Sequence, residues 1–198
     1  MFYFKFLSSF VDKIMIFLNT FFLYLMYLHL LKMPFKVSKD TIVIREIEPQ
    51  DNAQLEAVIR ACFHEFKIPL EGTAYADEET SRMFESYQNK NDVYYVIDHD
   101  GEILGGGGVK PLKDSEDVCE IQKMYFSPMV RGKGYGRALF EKCLQAAKDL
   151  GYNKCYLESA SQLKAAIHIY ESYGFIHLEE ALGNTGHYSC GVWMIKTL

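Results

Sequence analysis

Apolar positions along this chain change their spacing in a regular order, and each change predicts an element. Thr41–Glu46, dominated by β-branched residues, reads as a first strand. Leu55, Val58, Ile59, Cys62, Phe63 and Phe66 then recur at helical spacing, so an amphipathic helix follows, with Asp51 and Gln54 placed as its capping box. A polar run, Glu71–Thr80, leads to a shorter helix over Ser81–Asn89. Val93–Ile97 and Ile103–Leu112 are strands joined through Asp98-His99-Asp100-Gly101, whose Asp-Gly pair signals a hairpin. Val118–Phe126 is the next strand, stopped by Ser127-Pro128. Leu139, Cys143, Ala146 and Leu150 mark one face of a helix over Arg137–Leu150. A strand at Lys154–Glu158, a helix at Leu163–Tyr173 and a strand at Val192–Lys196 complete the series. Early hairpins and late β-α-β crossovers imply a mixed, mostly antiparallel central sheet with helices on both faces, an α/β (α+β) fold.

Residues alternate faces along a strand, so Glu120, Gln122 and Met124 are expected on one side of Val118–Phe126, with Ile121, Lys123 and Tyr125 on the other. Gly105–Gly108 weaken their strand, and either line a substrate channel or mark tight packing against a neighbour.

Composition adds three bounds. The 198 residues, 49% hydrophobic, can bury one core with little left for a second. The formal charge is −5, and the first 33 residues hold three lysines against one aspartate, so the remainder carries −7. That balance argues against a nucleic-acid partner and is compatible with a cationic substrate. The five cysteines lack Cys-x-x-Cys spacing, which points to reduced thiols in the cytoplasm, with neither a disulfide framework nor a zinc site.

Residues 1–33 stand apart from the domain expected over 42–198. Ile14–Leu31 is apolar except for Asn19, Thr20 and His29, close to the lower limit for a membrane-spanning helix. No small-residue cleavage site follows it. Lysines 32, 36 and 39 behind this run favour a domain on the cytoplasmic side if it spans. The other reading is that translation starts at Met33. Any membrane contact is expected only through residues 14–31.

The chemistry begins at Arg131-Gly132-Lys133-Gly134-Tyr135-Gly136, between a strand and a helix. Alternate glycines let the backbone turn tightly and expose its amides, and the helix start adds partial positive charge, so the segment forms a diphosphate cradle with Arg131, Lys133 and Arg137 as mobile counter-charge. No Ser or Thr follows Lys133, which excludes an ATP-binding P-loop, and the glycine phase does not fit a dinucleotide fingerprint.

Arg131, Gly134 and Gly136 meet the pattern Gln/Arg-x-x-Gly-x-Gly/Ala, and the segment resembles the acetyl-CoA loop of the GCN5-related N-acetyltransferases (GNAT). The resemblance covers roughly Ile42 to the C-terminus and includes Tyr170 ahead of Gly174-Phe175. It implies the GNAT fold, acetyl-CoA as co-substrate, and an amine acceptor. It also implies that the pantetheine arm lies along the strand before the loop, at Met124, Tyr125 and Phe126, and that this strand splays from its neighbour at a bulge, opening the slot for the thioester. The side chains of Met124 and Phe126 also fit an ordinary core.

An alkylammonium is protonated at neutral pH, so acetylation needs a base. Glu120, eleven residues before Arg131, is the first candidate, and Glu158 the second. Tyr170 fits the family's general acid for the departing thiolate, although Leu163, Ala166, Ile167 and Tyr170 also form one apolar stripe. Leu163 stands where the family often has Asn, so a polar contact to CoA is not expected there. Thr185–Trp193 borders the acceptor side. His187 could orient a substrate carboxylate or act as a base, whereas Cys190 has no evident partner as a nucleophile, and the two lack further ligands for a metal.

The expected function is acetyl transfer from acetyl-CoA to a small-molecule amine by direct attack. The competing classes are a non-catalytic acyl-CoA-binding or sensing module and a membrane-tethered enzyme acting on an envelope amine. The sequence leaves the oligomeric state open, a homodimer included.

Overall fold

A computed structural model of the chain describes residues 41–113 and 115–198. The apolar run 14–31 and the alternative start at Met33 lie outside them. Residues Asp40–Leu198 form one compact unit. No helix among the described residues is long and apolar enough to cross a membrane.

Among the described residues, seven strands make one sheet: β1 (Ile42–Glu46), β2 (Val93–His99), β3 (Glu102–Pro111), β4 (Val118–Phe126), β5 (Lys154–Ser159), β6 (Ile176–His177) and β7 (Val192–Thr197). Their spatial order is β1-β2-β3-β4-β5-β7-β6, and every pairing is antiparallel except β4 with β5. Helices α1 (Asn52–Phe66) and α2 (Met83–Ser86) cover one face, and α3 (Tyr135–Asp149) and α4 (Lys164–Ser172) the other. The core follows these two layers. Leu55, Ile59 and Phe63 of α1 meet Tyr94, Val96 and Ile103, while Leu139, Phe140 and Cys143 of α3 meet Val109, Cys119 and Ile121.

Three local expectations need correction. The helix predicted over Ser81–Asn89 is a 3₁₀ turn, Glu78–Ser81, followed by the single turn of α2. The capping box belongs to Glu48 and Asp51 on the short 3₁₀ turn ahead of α1, and Gln54 instead bonds the backbone of Gly101 and Ile103. Met124 lies on the opposite face from Glu120. Gly106 pairs with Tyr125 and Gly108 with Gln122, so Gly107 faces two residues, Lys123 and Met124, and Lys123 takes a left-handed φ of 50°. This bulge inverts the alternation. Met124 and Phe126 therefore pack with Ile121 on the α3 face, and Tyr125 packs on the α1 face.

Gly105–Gly108 owe their smallness to packing. A Cβ on Gly106 would sit 2.5 Å from the Tyr94 ring and 2.8 Å from the Tyr95 carbonyl oxygen. Tyr94 needs that position because its hydroxyl donates to the Lys123 carbonyl at 2.7 Å and so holds the bulge.

Candidate active site

Strands β4 and β5 run side by side from Val118/Lys154 to Ile121/Leu157 and pair no further, although β4 continues to Phe126 and β5 to Ser159. Parting strands leave main-chain groups of β4 without a ladder partner on that side. Toward the glycine loop the gap opens into a cleft of about 440 Å³ that reaches from Cys62 and Phe66 of α1 past Tyr125 and Phe126 to Gly134 and Tyr170. A separate polar cleft of about 310 Å³ is lined by Asp77, Glu79, Glu120, Lys123, Thr185 and His187, among others. A cavity of about 40 Å³ lies between: it shares Met124, Tyr125, Leu163 and Tyr170 with the first cleft and Lys123 with the second.

The glycine loop closes one end of the larger cleft. Gly132 and Gly134 adopt φ of 69° and 89°, in the left-handed region, and a side chain added at either would meet nothing within 4 Å. Gly134 is the N-cap of α3 and supplies no side-chain cap, so the first-turn amides keep their donors free. Open space, free donors and a helix N-terminus suit a diphosphate. Lys133 and Arg137 are exposed beside these amides. Arg131 is differently placed: it bonds the Phe126 carbonyl at 2.7 Å, pairs with Glu65 at 2.6 Å and lies over the Phe66 ring. Its guanidinium is thus committed to tying the loop to α1 and is not mobile counter-charge. Tyr135 packs with Ile97, Leu104 and Val130, and neither it nor Lys133 lines the cleft.

Glu120 is 3% exposed, accepts a hydrogen bond from Gln122 and lines the polar cleft. Burial pushes its carboxyl up to about 7, with the neighbouring charge of Glu158 adding to the rise and the Gln122 bond opposing it. Glu158 is held at Oε1 by the hydroxyls of Tyr156 at 2.8 Å and Thr185 at 2.9 Å, while its Oε2 is buried without a hydrogen-bond partner among the described residues. Tyr170 is buried, and burial drives its phenol well above the ordinary range, so it stays protonated.

Sequence reasoning singled out His187 but missed Asp77, Glu79, Lys110 and Lys123, which organise the polar cleft around it. Lys123 is buried and pairs with Asp77 at 2.8 Å and Glu79 at 3.4 Å. Lys110 reaches Glu79 at 3.0 Å, and His187 Nε2 bonds Asp77 at 3.0 Å. Burial raises the carboxyl of Asp77, yet the bond to His187 and the charge of Lys123 outweigh it and hold the group down at about 2. Burial opposes a charge on His187, but the Asp77 bond wins and its pKa rises. Asp77 is 110 positions from His187 and sits in an unpatterned polar run, so no local signal marks it. Burial, then the carboxylates of Glu158, Glu120 and Asp77, push the Cys190 thiol up to about 12, which makes it a poor nucleophile.

Comparison with known proteins agrees with this geometry. Residues 56–175 match the model of the Acetyltransferase (GNAT) family. An uncharacterized N-acetyltransferase, YjgM of Escherichia coli, is 39% identical over 164 residues, covering 82% of this chain and 98% of its own. A GNAT-family acetyltransferase from Staphylococcus aureus shares the fold with a TM-score of 0.69 at 18% identity, over 79% of this chain and 99% of its own. So does aminoglycoside 6'-acetyltransferase type Ii, with a TM-score of 0.58 at 19% identity, over 78% and 96%.

Proposed function

Because the chain belongs to the GNAT acetyltransferase family and is an N-acetyltransferase, we propose that it moves the acetyl group of acetyl-CoA onto a primary amine of a small molecule by direct attack. The parting of β4 from β5 beyond Ile121/Leu157 carries this reading, since it sets an apolar cleft and a polar cleft on either side of one strand segment. The amides of Gly132–Arg137 would hold the diphosphate of acetyl-CoA, and the β4 backbone at Met124–Phe126 its pantetheine arm. When bound, acetyl-CoA supplies an activated thioester. The volume of the polar cleft, about 310 Å³, supports a small acceptor.

Glu120 takes the proton of the incoming ammonium, directly or through one water. A carboxyl near 7 is matched to that task at neutral pH. Tyr170, protonated and at the wall shared by the larger cleft and the cavity, donates to the departing sulfur. The resistance of Cys190 to ionisation favours direct attack over an acyl-enzyme. A cytoplasmic location follows from the co-substrate.

Replacing Glu120 with Gln separates this reading from acyl-CoA binding without catalysis. Turnover with the best amine of a panel should fall about 10²- to 10⁴-fold while coenzyme A affinity is unchanged. Full turnover in Glu120→Gln would remove Glu120 from its role, and no CoA release with any amine would leave a binding module.

A further inference from the structure

His187 and Cys190 face each other from one loop, and the fold adds what their sequence spacing lacks. Glu158, on β5 just beyond its pairing with β4, comes from 29 positions upstream of His187, and the candidate ligand atoms of Glu158, His187 and Cys190 lie within 4.8 Å of one another. We propose that these three residues bind a thiophilic divalent cation of the Zn²⁺ class on the acceptor side of the sheet. Carboxylate, imidazole and thiol are the donors such an ion takes, and three protein ligands with a fourth position open is a recurrent arrangement.

Two independent features point to a ligand. Glu158 is fixed at Oε1 by Tyr156 and Thr185, which leaves Oε2 buried and without a partner among the described residues, a costly state for a carboxylate oxygen. His187 is oriented from outside the trio by Asp77, which accepts from Nε2 and leaves Nδ1 as the nitrogen able to ligate. A carboxylate on the far nitrogen is the usual support for a metal-binding imidazole, and Lys123 in turn fixes Asp77 at 2.8 Å. Cys190 is the only one of the five cysteines that is not fully buried. On binding, its sulfur forms the bond to the ion and its proton goes to solvent. The two anionic ligands then balance the charge of the ion.

The test uses the full chain, stripped with a chelator and titrated with Zn²⁺ and with Co²⁺. One ion per chain is expected, with the Co²⁺ form showing thiolate-to-cobalt charge transfer and the visible bands of a four-coordinate site. Cys190→Ser should abolish the charge-transfer band while retaining coenzyme A binding, which shows that the variant is folded. Asp77→Asn should weaken Zn²⁺ binding by about 10- to 100-fold. No thiolate band in the unaltered chain, or one that survives in Cys190→Ser, overturns the site. Competition between Zn²⁺ and the amine rests in addition on the acceptor assignment above. If the ion binds without competing, that assignment fails and the ion site stands.

Discussion

As the proposed base, Glu120 would couple activity to pH at the scale of one residue. The folded chain holds its proton more tightly than the unfolded chain, whose carboxyl titrates near 4.5, so the group favours folding at low pH and that contribution is lost as pH rises through about 7. Above that point the buried charge destabilises the fold by on the order of 3 kcal/mol. The same ionisation would activate Glu120 as the proposed base, so kcat/KM should rise with pH through a limb near 7. Glu120→Gln should melt later than the unaltered protein at pH 8 and at the same temperature at pH 4. An unshifted limb together with unchanged melting at pH 8 would show that Glu120 does not titrate near 7. The burial of Glu120 was legible from its place between Cys119 and Ile121 in a strand, and its proposed role from the family resemblance. Asp77 was not, since its role arises only when the polar loop and the C-terminal loop meet across the cleft.

At the scale of elements, the bulge in β4 decides which side chains reach which cleft. Without it Met124 would share the face of Glu120, and the polar cleft would lose Lys123, whose amine binds Asp77 and Glu79. Alternation predicts a strand's faces only while the ladder is regular; the resemblance implied a bulge in this strand, but a lysine does not mark the left-handed position, so its place was not legible. The hairpin was legible because Asp100 and Gly101, with φ of 52° and 94°, are the residue types that such a turn selects. Gly106→Ala tests the link between β3 and the bulge. Its Cβ would press on the Tyr94 ring and the Tyr95 carbonyl, so stability should drop by about 1–3 kcal/mol, read from the denaturation midpoint. Turnover should fall with it as Tyr94 releases the Lys123 carbonyl. A neutral result on both would mean that the packing yields without disturbing β4.

For the whole molecule, the mixed, mostly antiparallel pairing was readable from hairpins followed by a crossover, because short connections and right-handed crossovers leave few alternatives, whereas the order β5-β7-β6 at one edge was not. The place where β4 and β5 part was not, since nothing in either strand's composition ends a parallel ladder. Residues 42–198 are proposed to fold and act alone. A chain beginning at Met33 should keep the coenzyme A affinity and turnover of the full protein, and loss of either would assign the preceding residues a part in the domain.

Calorimetric titration of the full chain with coenzyme A bears most directly on the idea that the amides at the start of α3 grip its diphosphate. One saturable site per chain is expected, retained in Glu120→Gln and strongly weakened in Gly134→Val, where a β-branched residue cannot hold φ of 89°. No heat of binding, or undiminished binding by folded Gly134→Val, would contradict it.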